Sequence, residues 1–248
     1  MAMAVMASCS KESDELADGS PSQSETTPPA EDETVSFAKQ QGSFDGVQLP
    51  YQEAEIMASA DGKAALVLYL HGGSCKGTDN EKQMSEPGIE SISGYLAGKK
   101  VHAVMLVPQC PADKSWDVLT GSLKALLDKY VADGDMDSKR IYVFGGSMGG
   151  TGTWTLANAY PDYFAAVMPV AGNPSKCTAV NFANTPVYTV MGTADKLMSV
   201  ETAARFVDEV DAAGGTTKFD TEEGWSHEDT CKKSYTSSRL EWVFSQTK

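Results

Sequence analysis

The sequence predicts one α/β domain over residues 35–248, built on a mostly parallel β-sheet with helices on both faces. Three observations predict it. Apolar, β-branched runs alternate with segments of helical spacing from residue 49 onward. The run 64–70 is apolar at nearly every position, as a strand buried on both faces must be. A glycine-flanked serine, Gly145-Gly146-Ser147-Met148-Gly149, stands between a strand-like run and a helix-like one.

In chain order, 49–57 and 64–70 read as strands joined by a turn at Asp61-Gly62, and 101–107 as a further β-branched strand. Residues 116–131 have helical spacing, with Leu119, Leu123, Leu126, Leu127 and Tyr130 on one face. A short strand at 140–144 leads into the serine, and 151–160 reads as a helix that stops before Pro161. Strands are expected at 164–170 and 186–191. A helix is expected at 200–213, closed by Gly214-Gly215. Residues 218–221 read as a last strand and 230–244 as a closing helix. Only 172–185 separates the two strands after the serine helix, too short for a cap domain.

The first 34 residues differ in character. Residues 10–34 hold eight carboxylates against Lys11, which is half of the chain's formal net charge of -14, and almost nothing apolar. Such a segment cannot bury enough surface to fold and reads as a disordered tether. Before it, Met6-Ala7-Ser8 directly precedes Cys9. This resembles the lipobox of a bacterial lipoprotein signal, although no Lys or Arg precedes the apolar run. The resemblance implies a signal remnant at 1–9, a lipid on Cys9, and a place in the bacterial envelope or at its surface. Without a basic stripe, the chain is not expected to bind nucleic acid. Cys75, Cys110, Cys177 and Cys231 permit three full pairings, and none shows a zinc or redox spacing. No metal or organic cofactor is implied.

The serine carries the chemistry. A sharp strand-to-helix turn needs small neighbours and exposes the hydroxyl at the C-terminal edge of the sheet. A hydroxyl attacks at neutral pH only with a base in hydrogen-bond reach. The chain has three histidines, His71, His102 and His227, and only His227 follows Ser147, in a loop before the final helix. Asp195, just past the strand 186–191, is the favoured acid to orient it, and Asp220 and Glu222 are the serious alternatives. The oxyanion donors expected are the backbone N–H of Met148 and that of Gly73 or Ser74, in the loop His71-Gly72-Gly73-Ser74. His71 reads as structural and His102 as a residue at the start of a strand. Trp116 is either a stacking surface for substrate or a core residue.

Taken together, Leu70-His71-Gly72-Gly73, Val107-Pro108-Gln109-Cys110, Ser115-Trp116-Asp117, Arg140 through Gly150, Tyr160 through Ala166 and Gly192 through Asp195 resemble the α/β-hydrolase esterase branch of feruloyl and acetylxylan esterases and polyhydroxybutyrate depolymerase-like enzymes. The resemblance covers most of the chain from about residue 43. Two stretches depart from it: Trp225-Ser226-His227, and Lys196-Leu197-Met198 after the acid. It implies an α/β-hydrolase fold without a large cap, and a serine carboxylic-ester hydrolase acting through an acyl-enzyme. The expected substrate is a small-molecule or polysaccharide-linked ester, most of all an acyl ester of a carbohydrate. The competing readings are a prolyl oligopeptidase-like peptidase and an inactive binding protein on the same fold.

Overall fold

A computed structural model describes residues 35–58 and 62–248. The lipobox-like residues 1–9, the acidic segment 10–34 and Asp61 of the expected turn lie outside the described residues. The elements are β1 (Ala38–Phe44), β2 (Val47–Ile56), β3 (Ala64–Leu70), α1 (Pro87–Gly98), β4 (Ala103–Pro108), α2 (Thr120–Ala132), β5 (Met136–Gly146), α3 (Met148–Ala159), β6 (Ala166–Val170), β7 (Val187–Gly192), α4 (Val200–Ala212), β8 (Thr217–Glu222), α5 (His227–Lys233) and α6 (Ser237–Phe244). The strands form one sheet in the order β1-β2-β4-β3-β5-β6-β7-β8. β2 is antiparallel to both its neighbours. All other pairings are parallel. This is the α/β-hydrolase architecture the sequence predicts.

Successive side chains of a strand point to opposite faces, so β3 feeds two cores. Leu66, Leu68 and Leu70 pack with Leu123, Leu126, Trp154 and Phe206 on one face, beneath α2, α3 and α4. Val67 and Tyr69 pack with Ile89, Ile92, Leu96, Leu240 and Val243 on the other, beneath α1 and α6. Each fully buried Leu or Phe stabilises by about 1.5–3 kcal/mol, so the central strands are the best-held part of the sheet. Since β3, β5, β7 and β8 are mutually parallel, the loops that follow them emerge at one edge, where open α/β sheets bind ligands.

The structure adds β1 and α1 to the elements read from sequence. β1 is an edge strand exposed along most of its length, so it shows no apolar alternation. α1 buries Ile89, Ile92 and Leu96 on one face, but three glycines dilute the pattern. The helix expected at 116–131 begins as a 3-10 turn, Trp116–Val118, before α2. The helix expected at 230–244 is two helices. Tyr235 turns into the core between them at 5% exposure. The Ser234 hydroxyl bonds back to the Thr230 carbonyl at 2.6 Å, and Thr236 is extended as it opens α6.

All four described cysteines are free. Cys75 and Cys110 are buried, and Cys177 and Cys231 are half-buried.

Gly149, in the first turn of α3, passes so near the Leu70 carbonyl that a β-carbon there would be driven into the β3 backbone. Gly94, exposed in α1, has open space around it. Gly149→Ala should therefore destabilise by about 3 kcal/mol. Gly94→Ala should stabilise by about 0.5–1 kcal/mol through helix propensity alone. Urea unfolding midpoints read both, and shifts of the same sign would contradict the packing described.

Candidate active site

Ser147 follows the last residue of β5 and caps α3 with φ 59° and ψ -117°, a backbone conformation unfavourable for any residue with a side chain. Two bonds hold it there. Its N–H donates to the Val170 carbonyl at 3.0 Å, and its own carbonyl accepts from Thr151 N–H at 2.9 Å. The hydroxyl faces a cleft of about 460 Å³ lined by the loop after β3, the start of α1 and α5. His227 Nε2 lies 2.7 Å from Ser147 Oγ. His227 Nδ1 lies 2.7 Å from Asp195 Oδ2. The three side chains nominated from sequence thus stand in one hydrogen-bonded line, within the reach that proton transfer requires.

The local folding behind each is visible. His227 is the first residue of α5 rather than a loop residue. A capping box between Ser226 and Asp229 draws the helix start back to it. The Asp195 side chain is fully buried. Its second oxygen accepts from the N–H groups of Leu197 (2.8 Å) and Met198 (3.0 Å), which fixes the carboxylate plane. The acid's loop is tied to the histidine's loop, since Ala194 N–H donates to the Trp225 carbonyl at 3.0 Å and Gly224 N–H to Thr193 Oγ1 at 2.8 Å. Asp220 and Glu222, the alternative acids, are engaged elsewhere. Asp220 accepts from Arg239 Nε at 2.8 Å and the Tyr188 hydroxyl at 2.9 Å, and Glu222 accepts from Arg239 Nη2.

Gly73 and Ser74 open a 3-10 turn, Gly73–Cys75, that lines the cleft, and Met148 is the first residue of α3. The turn is held from behind. His71 is buried, and its Nε2 accepts from Cys110 N–H at 2.9 Å. Nδ1 therefore carries the proton, which it donates to the Gly72 carbonyl at 2.6 Å. Trp116 is fully buried and donates its indole N–H to the His71 carbonyl at 2.9 Å, so it is a core residue and not a stacking surface. His102, at the start of β4, lies 3.1 Å from the Gly62 carbonyl and 3.2 Å from Glu55. A second anchor runs through Asn80. Its side-chain amide donates to the carbonyls of Gln40 (3.0 Å) and Tyr51 (2.9 Å), and Gln109 bonds both Asn80 N–H and the Cys75 carbonyl.

Glu86 was missed by motif reading. It immediately precedes α1, yet its carboxylate makes no capping bond to that helix. Oε1 accepts instead from Gly72 N–H at 2.8 Å and from the Cys75 thiol at 3.4 Å, and Oε2 accepts from the Tyr69 hydroxyl at 3.4 Å. Gly72 N–H is thereby occupied, leaving Gly73 and Ser74 as the donors the turn can offer. The only sequence signal for Glu86 was an acidic residue directly before Pro87. Leu197, Glu228, Cys231 and Lys232 also line the cleft and carry no motif.

Residues 103–243, more than half of the chain, match the Dienelactone hydrolase family. A stretch of 56 residues is 43% identical to poly(3-hydroxyalkanoate) depolymerase C of Paucimonas lemoignei, covering 23% of this chain and 14% of that protein. The crystal structure of a thermostable esterase aligns with a TM-score of 0.76 and 26% identity, over 86% of this chain and 63% of that one. A ferulic acid esterase aligns with a TM-score of 0.67 and 12% identity, over 85% and 98% of the two chains. The chain thus spans less than two thirds of the depolymerase and of the thermostable esterase.

Burial lowers the His71 pKa from 6.5 to about 4, so the folded chain keeps this ring neutral. The unfolded chain binds the proton across that interval. The stability this contributes is present above about pH 6.5 and is lost as pH falls toward 4. Between pH 7 and pH 5 the loss should be about 2 kcal/mol, and His71→Gln should lack that component. Urea unfolding of both proteins at the two pH values measures it, and an equal acid loss in both would show that His71 is not the group responsible.

Proposed function

The chain belongs to the dienelactone hydrolase family, and from that membership we propose that it is a serine carboxylic-ester hydrolase whose triad is Ser147, His227 and Asp195. The observation that carries the reading is the line of two 2.7 Å contacts from Asp195 through His227 to Ser147, at the floor of an open cleft. Ser147 Oγ attacks the ester carbonyl while His227 Nε2 takes its proton. Asp195 holds the imidazole with Nδ1 protonated and stabilises the imidazolium that forms. The N–H of Met148 and that of Gly73 or Ser74 receive the oxyanion. His227 then returns the proton to the departing alcohol, leaving an acyl-serine. Water, deprotonated by the same imidazole, hydrolyses it and restores the enzyme.

Access supports an ester borne on a bulky molecule, such as an acylated polysaccharide. The connection from β6 to β7 holds one short 3-10 turn, Ala179–Phe182, and no cap domain. A lipid on Cys9 would present such a cleft at the envelope surface. The mass of the intact protein expressed with its full export signal reads this directly: a diacylglycerol-sized increment on Cys9 is expected, and an unmodified Met1 start overturns the anchor.

A panel of acetyl, butyryl and feruloyl esters beside a proline-peptide substrate tests the activity. Ester turnover without peptide turnover is expected. Ser147→Ala and His227→Ala should each lower kcat by a factor on the order of 10⁴–10⁶, and the double variant should be scarcely worse than either, since the two act as one unit. Asp195→Asn should lose less than Ser147→Ala, because it disturbs only the tautomer and orientation of the base. Additive losses, or full turnover by Asp195→Asn beside an inactive Asp220→Asn, would refute the triad.

A further inference from the structure

The charged side chains that line the cleft beside His227 are Glu86, Glu228 and Lys232. Two of them cancel: Lys232 Nζ lies 2.5 Å from Glu228 Oε1, one turn apart on α5. Asp195 is paired with His227 beneath the floor. Glu86 has no cationic partner within salt-bridge distance among the described residues. Its bonds come from a peptide N–H, a thiol and a phenol, none of which carries a neutralising charge. Those bonds also fix the carboxylate, so it does not swing away from an incoming group.

Its position is next to the nucleophile. A β-carbon placed on Gly72 would lie 3.1 Å from Glu86 Oε1 and 3.8 Å from Ser147 Cβ, so one small group spans the gap between carboxylate and serine. Glu86 Oε1 therefore lies no more than about 7 Å from Ser147 Cβ, so an ester seated at Ser147 meets the carboxylate at close range. Glu86 itself is half-buried, and where water screens less, like charges at such distances repel appreciably.

We propose that Glu86 sets the charge selectivity of the cleft, turning away esters that bear a carboxylate near the scissile bond and admitting neutral or cationic ones. This rests on the serine-esterase reading above, whose substrate class it narrows. Lys232 is balanced by Glu228 on the same helix, so the lining retains the net charge of Glu86.

Glu86→Gln separates charge from architecture, since the amide oxygen still accepts from Gly72 N–H while the charge is gone. Two substrate pairs place the difference on either side of the ester. They are meta-acetoxybenzoate against meta-acetoxybenzamide, and the monophenyl ester of adipic acid against its primary amide. The ratio of variant to wild-type kcat/KM for each compound cancels intrinsic leaving-group reactivity. In the pair facing residue 86, the variant should gain about tenfold on the anionic member relative to its neutral partner. That gain should shrink as ionic strength rises from 0.01 M to 1 M, because screening acts on charge and not on loop geometry. The same relative rates in both pairs, or a gain indifferent to salt, would overturn the proposal. Failure of the wild-type protein to hydrolyse even the neutral members would instead count against the esterase reading, so the two failures are distinguishable.

Discussion

The backbone at Ser147 is the constraint from which the site follows. A residue with a side chain held at φ 59° persists only where its surroundings over-determine it. Here the parallel strands β5 and β6 supply the Val170 carbonyl, the α3 helix supplies Thr151 N–H, and close packing of the first turn of α3 on the end of β3 leaves the chain no other path. The arrangement uses the sheet itself as the clamp. Because β3 lies beside β5, the same packing sets the loop after β3 alongside the serine, so the Ser147 turn and the Gly73–Cys75 turn are positioned by one contact rather than two.

The polar groups behind the loop extend this logic away from the serine. His71 is anchored to Cys110 after β4, and Asn80 to the carbonyls of β1 and β2. The antiparallel edge of the sheet contributes no side chain to the cleft. It holds the far end of the segment that does. A buried network of this kind is valuable only when every member is satisfied. The neutral imidazole of His71 meets that demand because one nitrogen accepts while the other donates, which a protonated ring would not do.

Much of this was legible in the sequence because it depends on periodicity and local order. The strands of the central sheet announce themselves through apolar runs, as at Ala64–Leu70, and the serine turn through its setting between strand and helix. The histidine expected as base is legible from chain order, since only His227 follows Ser147. What escaped depends on tertiary context. β1 is an exposed edge, where no face demands apolar residues. The break between α5 and α6 arises because Tyr235 is drawn inward, against a pattern that otherwise reads as one helix. The sequence leaves Trp116 open between substrate contact and core, because the bond from its indole to the His71 carbonyl spans 45 residues. Glu86 has no motif because its partners are a backbone N–H and two residues distant in sequence.

The free cysteines bear on where such a chain can work. Burial pushes the Cys231 and Cys177 thiols up to about 12 and the Cys110 thiol up to about 11, and raises Cys75 as well. Only the thiolate attacks disulfides or reacts readily with oxidants. Cys231, at the cleft wall, is thereby kept as the thiol at neutral pH. These side chains therefore behave as small apolar fillers with slow sulfur chemistry. With its four described cysteines free, the domain draws none of its stability from cross-links among them, and a reducing environment removes no bond that holds the fold.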